Sequence, residues 1–296
     1  MPYLWVIATV FATGLQVARN ALQRGMIGDA GPWGATLVRF LFGLPFTLAL
    51  GLVLILVMGG RLHPVPSRAY WIETLAGAAC QMVATASLLV AMRRAGFAVG
   101  TTVQQSSLPL AAILGLVIFG DTLTPLGWTG VAITTLGLVI LTWPRHATKS
   151  ELLSGAGYGL VSGLLFGFSM NAFRHATRAL EPHHPLFSAV ATVTVTQTVQ
   201  SLALVAYLAW RHPWALRAVV TDWRKSLGAG FCGAGASALW LMALALAPAA
   251  SVRSVAVIET PLAVVAGRRM FKERLSLGQW IAAAVTTIGV VMTAMN

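Results

Sequence analysis

Glu259 is the first residue to weigh as a chemical group. The chain carries 8 Asp and Glu residues. The others (Asp29, Glu73, Asp121, Glu151, Glu181, Asp222 and Glu273) fall between long apolar runs or near their ends, whereas Glu259 lies midway along one. If that run crosses a bilayer, an ionised carboxylate there costs at least about 2.5–3.5 kcal/mol on insertion scales. The side chain must then face a protein interior, pair with a cation or carry a proton. Three readings stay open: a proton-coupling group, a contact for a substrate amine, and a structural ion pair or neutral hydrogen bond. Pro261 follows closely, removes a helix hydrogen bond and favours a kink beside Glu259. Broken helices near a bilayer midplane often line binding sites.

The arginines come next. Arg39 lies well inside the second apolar run and Arg253 early in the ninth. A guanidinium grips a carboxylate through two parallel hydrogen bonds, so either could hold an amino-acid carboxylate. So could Arg19 and Arg174, although an Arg near a run's end can simply snorkel to the interface. Arg253 and Glu259 stand about 240° apart on a helix, so they cannot pair along one straight segment.

Uncharged polar residues form stripes at helical spacing. Gln16, Arg19, Asn20 and Gln23 share one face, and Asn171, Arg174, His175 and Arg178 share another. Thr192, Thr196 and Gln200 recur at every fourth position, beside a row with Gln197 and Ser201. Gln81 and Thr85, Thr101 and Gln105, and Gln104 and Ser107 make shorter rows. Such groups are costly against lipid, so they either bond between helices or line a cavity. Trp240 and Phe168 lie deep enough to stack on a ligand or to pack. The candidate substrate-binding set is Gln16, Arg39, Gln81, Gln105, Asn171, Thr196, Gln200, Trp240, Arg253 and Glu259, with Glu259 also the candidate coupling group. No catalytic set stands out. His175, His183 and His184 with Glu181 match no metal-binding spacing, and no metal or cofactor is expected. No phosphate-binding loop or hydrolase motif is present either.

These residues need elements to hold them. Of the 296 residues, 57% are hydrophobic and 9% charged, against about 25% charged in soluble domains. The chain therefore reads as a polytopic membrane protein. A net charge of +12 fits basic loops on one side of a bilayer rather than a nucleic-acid partner. Cys80 and Cys232 make no disulfide framework. Ten runs long enough to span, at about 20 residues each, fall near 3–21, 33–58, 69–92, 97–119, 126–143, 155–173, 186–209, 226–247, 249–270 and 277–295. The first run reads as a retained helix rather than a cleaved signal. Gly155, Gly159, Gly163 and Gly167 let another helix approach closely, and Ala8 and Ala12 hold the matching places in the first run. Trp5, Trp33, Trp71, Trp128, Trp143, Trp210, Trp214 and Trp280 lie near run ends, as interfacial anchors do.

The chain repeats itself. Residues 91–140 align without a gap on 243–292, with 16 of 50 positions identical. Pro109, Gly115, Phe119, Trp128 and Gly137 meet Pro261, Gly267, Phe271, Trp280 and Gly289, and Asp121 meets Glu273. The stripe from Gln16 to Gln23 meets the stripe from Asn171 to Arg178. Each half thus holds five runs, and an odd number inverts the second copy. The basic residues agree. Arg93 and Arg94 follow the third run, while the second copy is basic only one loop later, at Arg268, Arg269, Lys272 and Arg274. That is the pattern of an inverted repeat under the positive-inside rule, and it places both termini outside.

The string 108–128 with its copy at 260–280, and the Pro32–Phe40 string, are similar to those of the drug/metabolite transporter superfamily, EamA-type branch. The resemblance implies an all-α integral membrane protein of ten transmembrane helices in two inverted five-helix repeats, 1–147 and 148–296. It implies a central cavity between spans 1–4 and 6–9, with spans 5 and 10 peripheral. It also implies export or exchange of small metabolites, often amino acids, across the plasma (bacterial inner) membrane, by a monomer or homodimer. Asp121 stands where the family usually has Glu, and Lys272 where it has Gly. The expected partners are a small-molecule substrate, the lipid bilayer and, under one reading of Glu259, protons. The competing readings are an uncoupled facilitator of an amine, nucleoside or sugar, and a membrane enzyme acting on a lipid-linked substrate.

Overall fold

The computed structural model describes residues 3–142, 149–221, 223–258 and 277–295. Glu259, Pro261 and Glu273 lie outside the described residues. Those described form helices and no strand. In chain order they are α1 (Leu4–Leu41), α2 (Leu44–Met58), a 3₁₀ turn (Gly59–Arg61), α3 (Arg68–Gln104) and α4 (Ser107–Leu114). A π turn (Gly115–Phe119), α5 (Pro125–Thr142), α6 (Lys149–Leu180), α7 (Pro185–Arg211) and α8 (Pro213–Thr221) follow. The last are α9 (Trp223–Leu246), α10 (Ala249–Ala256) and α11 (Leu277–Ala294).

Helix boundaries depart from the apolar runs at several places, three of which bear on the interior. α1 continues through the expected loop at 22–32 and breaks only at Gly31, whose φ of 67° and ψ of 175° leave the helix. Glycine reaches that conformation without a Cβ penalty, and Pro32 then restarts the chain as a second arm. Gln23 Nε2 reaches across the break to the carbonyl of Ala35 at 2.7 Å and ties the arms together. α3 runs unbroken past Arg93 and Arg94, which the sequence suggested as a loop. It packs along α6, and the Arg94 guanidinium lies 4.8 Å over the Tyr158 ring there. The chain leaves the helix instead at Gln105 and Ser106. The third departure is α8, a short helix where a loop was expected, which buries Ala215 and Val219.

Four of the described helical stretches are long and apolar enough to cross a membrane: Ala30–Met58, Arg68–Arg94, Pro185–Arg211 and Ser226–Leu246. Ser107–Phe119, Pro125–Ile140 and Ala284–Thr293 are apolar but shorter. The first arm of α1 and the whole of α6 are not among them. Their polar stripes lower the mean hydropathy, and the structure buries those stripes: Arg19, Asn20, Gln23, Asn171 and Arg174 are all buried. Burial as a whole is reversed relative to a soluble protein. Leu56, Val57 and Val117 are 72%, 77% and 74% exposed, while Gln23, Gln197 and Gln200 are each 1% exposed. Only a surface meant for lipid tolerates that inversion.

Three helix pairs hold the bundle: α3 with α6, α1 with α9, and α5 with α11. The α6 glycines make the first contact close. A Cβ on Gly159 would sit 2.7 Å from Val103 Cβ of α3, and farther along α6 one on Gly167 would sit 3.0 Å from the Ala111 nitrogen of α4. α5 and α11 cross through Gly130 and Gly289, each of whose Cβ positions lies 2.8 Å from the other's carbonyl oxygen. Ala8 and Ala12 pack with Val252 and Ala256 of α10 in the largest apolar cluster.

Candidate functional site

The two halves interrupt their fourth run at matching positions. In the first half the break lies at Gln105 and Ser106, and the Ser106 N–H turns back to the Val103 carbonyl at 3.1 Å. In the second half α10 stops at Ala256, and the Ile258 N–H turns back to the Val255 carbonyl at 3.2 Å. Ser106 and Ile258 are the residues that the sequence repeat aligns. Each break has a proline four residues on in the sequence, Pro109 after Gln105 and Pro261 after Val257, and a proline offers no N–H to the carbonyl four residues before it.

A cavity of about 50 Å³ opens beside these breaks. α1 contributes Gln16, Arg19 and Asn20 from its first arm and Arg39 from its second. Gln81, Leu88 and Gln104 come from α3, Ser107 from α4 and Arg253 from α10. α6 presents Phe166, Ser169, Met170 and Phe173, and α9 presents Ser237, Trp240, Leu241 and Leu244. Both quartets have i, i+3, i+4, i+7 spacing, which is one helix face. The volume suffices for a few waters or the polar head of a small metabolite.

Three guanidinium groups are the dominant charges. Arg19, Arg39 and Arg253 are 3%, 3% and 2% exposed. Arg19 and Arg39 run side by side over Gly233, whose Cβ position lies 3.4 Å from Arg19 Cδ and 3.3 Å from Arg39 Cγ. Arg39 donates to Thr85 Oγ1 at 3.2 Å and to Ser237 Oγ at 3.4 Å. Thr85 Oγ1 in turn donates to the Gln81 carbonyl at 2.8 Å. Arg19 donates through Nε and Nη2 to Asn20 Oδ1, at 3.2 and 2.8 Å. Arg253 donates to Ser107 Oγ at 2.8 Å and to Gln105 Oε1. Among the described residues no Asp or Glu lines this cavity.

Of the candidate residues, Gln16, Arg39, Gln81, Trp240 and Arg253 lie on the cavity wall. Gln105 stands one layer back, holding Arg253. Gln200 also stands behind the wall: its amide donates to the Ala78 carbonyl at 2.8 Å and to Gln81 Oε1 at 3.1 Å. Asn171 is off the wall, because its amide donates to the Ala111 and Gly167 carbonyls, both at 2.9 Å. Thr196 is off it too, bonded to the Val193 carbonyl at 2.9 Å. Ser169 and Ser237 reach the wall although neither sat in a polar stripe. Their faces are mainly apolar, so spacing could not separate them from packing.

One end of the cavity is pinned. Arg174 pairs with Asp121 at 3.0 Å and donates through Nη1 to the carbonyl of Leu244, also at 3.0 Å. His175 Nε2 lies 3.4 Å from the same Asp121 oxygen, and the Phe119 ring lies 5.1 Å from the His175 ring. Arg174 thereby joins the turn after the π segment, α6 and α9.

A single methyl tests the arginine pair. Gly233→Ala would press on both stems and on the Arg39 carbonyl, 3.4 Å away. Stability should fall by no more than about 1 kcal/mol, because the stems are flexible. Solute affinity should fall roughly fivefold to tenfold, because the donors are displaced. Counterflow KM set against the unfolding midpoint in detergent separates the two effects.

A helical bundle with an apolar outer surface and a polar, cationic centre is the build of an integral membrane protein. The EamA-like transporter family matches residues 153–295. The match makes that segment similar to the family, which is part of the drug/metabolite transporter superfamily and whose members are transporters rather than enzymes. A solved structure described only as "Crystal structure of protein" superposes with a TM-score of 0.65 over 97% of this chain and 94% of its own. At 18% identity it speaks for the fold alone. No curated protein sequence matches the chain.

Proposed function

We propose that the protein is a secondary transporter that moves a small carboxylate-bearing metabolite, amino acids among the candidates, by alternating access around the central cavity. The observation that carries this reading is the pair of repeat-related helix breaks beside a buried polar cavity, the arrangement that discontinuous helices give to transporter sites. The pairing of α3 with α6 and of α1 with α9 supports two inverted five-helix repeats, since exchanging the halves exchanges those contacts. Export or exchange across the plasma membrane is the physiological direction we propose.

Glu259 enters through the repeat. It aligns with Ser107, and Ser107 lines the cavity. That supports a place for Glu259 beside the solute and a role in proton coupling. Glu259→Gln is expected to keep solute exchange in the absence of a pH gradient and to lose accumulation driven by one. Equal loss of both would assign Glu259 to solute binding or to the fold, full retention of both would mean that coupling does not run through Glu259, and no gradient-driven accumulation in the unaltered protein would mean uncoupled transport. The transporter reading itself is tested by counterflow of the purified protein in proteoliposomes. Labelled amino acids, dicarboxylates, amines, nucleosides and sugars form the panel. A folded protein that moves none of them is not a transporter of this kind.

A further inference from the structure

We infer that the corner formed by the end of α7, α8 and the start of α9 binds the headgroup of an anionic phospholipid, at a site separate from the central cavity. The corner's place follows from its neighbours. Pro185–Arg211 and Ser226–Leu246 are both long and apolar enough to cross a membrane, so residues 212–225 between them lie at one face of it. α8 runs within that stretch and buries Ala215 and Val219. Its Trp214 and Arg217 are exposed, and their spacing of three puts them on one helix face.

Positive charge gathers here. Residues 211–225 hold Arg211, Arg217, Arg224 and Lys225 against a single acid, Asp222. Arg211, Arg217 and Arg224 are exposed, and among the described residues no carboxylate pairs with any of them. Two of the three are seated on aromatic rings. The Arg211 guanidinium lies 4.5 Å from the centroid of the Trp210 ring, and the Arg224 guanidinium 5.5 Å from that of Trp223. Stacking uses the flat face of a guanidinium and leaves its N–H edge free. That edge can bond two oxygens of one phosphate. Trp210, Trp214 and Trp223 are all exposed, and tryptophans at a bilayer face sit at headgroup depth. Rings at that depth, with forked donors beside them, suit a lipid whose phosphodiester carries an uncompensated negative charge. Phosphatidylcholine has the same phosphate but carries its own ammonium beside it, so it brings the corner no net charge.

The same corner braces a joint. α8 packs on the break in α1: Trp214 Cη2 lies 3.5 Å from the Cβ position of Gly31, and Val219 Cγ2 lies 3.4 Å from that of Gly34. The two arms of α1 meet at this break, and both reach the cavity. A headgroup held by Arg217 therefore steadies the break along with α8, and the bound lipid adds to the stability of the whole bundle by mass action.

The test is native mass spectrometry of the full-length protein in a neutral detergent, titrated with dioleoyl phosphatidylglycerol or dioleoyl phosphatidylcholine. At least one phosphatidylglycerol should be retained, with an affinity roughly tenfold or more above that of phosphatidylcholine. Arg217→Gln and Arg224→Gln should each weaken its retention roughly fivefold, since each removes one cation near the headgroup. Arg61→Gln, at an exposed arginine in the connector between α2 and α3, should leave it unchanged. The arginines are exposed, so the variants should fold, and unfolding midpoints in detergent check this. Phosphatidylglycerol should also raise the midpoint of the unaltered protein more than that of the Arg217 variant. The inference is overturned if phosphatidylcholine is retained equally, if the Arg217 and Arg224 variants hold phosphatidylglycerol as the unaltered protein does, or if the Arg61 variant loses as much as they do. Retention is read without transport, so a protein that moves no solute would remove the transporter reading and leave the lipid site to stand or fall alone.

Discussion

A leucine at Gly163 is expected to abolish transport and to cost the fold about 3 kcal/mol or more. Gly163 is where α6 meets the break between α3 and α4. A Cβ there would overlap Ser106 Oγ and sit 3.0 Å from the Ser107 nitrogen and 3.2 Å from the Gln104 carbonyl oxygen. The serine hydroxyl can rotate away, but the backbone atoms cannot move without shifting the break itself. Ser107 and Gln104 are both cavity residues, so the clash reaches the cavity wall through the main chain. Gly163→Ala asks for a few tenths of an ångström and should cost about 1 kcal/mol with reduced transport. Gly157, on the same helix, is the control: nothing lies within 4 Å of its Cβ position. Gly157→Ala should be neutral or slightly stabilising, since alanine favours a helix by about 1 kcal/mol over glycine. Unfolding midpoints in detergent, measured with counterflow, separate the three variants. Equal behaviour of the leucine variant and the Gly157 control would mean that the close approach of α6 is unimportant.

The sequence made the membrane character and most helix positions legible, because a bilayer demands long apolar runs and leaves little latitude. It also marked the α1 stripe, Arg39, Gln81, Trp240 and Arg253, since polar groups within such runs must face inward. It did not show which inward face meets the cavity. On α6 the stripe beginning at Asn171 looked like the wall, yet Met170 and Phe173 occupy it. Adjacent residues on a helix differ by about 100°, so a one-position error turns a wall residue into a packing residue. Asn171 then spends its amide on the Ala111 carbonyl, a use that no spacing reveals. The break at Gln105 and Ser106 was legible only in part. Pro109, four residues on, withholds the hydrogen bond that the Gln105 carbonyl would need, and what no spacing reveals is that Arg253 from the other half takes Gln105 and Ser107 as acceptors.

The second large effect is expected at Asp121. Asp121→Asn should destabilise the protein by about 3 kcal/mol, because it strands the buried Arg174 guanidinium without its counter-charge. The two side chains are only 15% and 10% exposed, so water cannot compensate. Arg174→Gln should cost less, since it removes the cation whose burial is expensive. The double variant Asp121→Asn with Arg174→Gln should recover part of the single Asp121 loss, which is the coupling that a double-mutant cycle reads. The functional consequence follows from the asymmetry between halves. The α1 stripe faces the cavity through Gln16, Arg19 and Asn20. Its sequence counterpart on α6 is turned away instead, with Arg174 fastened to Asp121 and to the Leu244 carbonyl. Under the alternating access proposed above, an inverted repeat exchanges these roles between states, and the Asp121 pair is then expected to hold one state closed. Removing it shifts the populations rather than the solute contacts, and a shift of that kind alters apparent affinity by the fraction of competent protein. Affinity should therefore change in opposite directions when solute is offered from the two faces of oriented vesicles. A loss of equal size on both faces, with stability unchanged, would mean that Asp121 serves the solute site directly and that the pair is no latch.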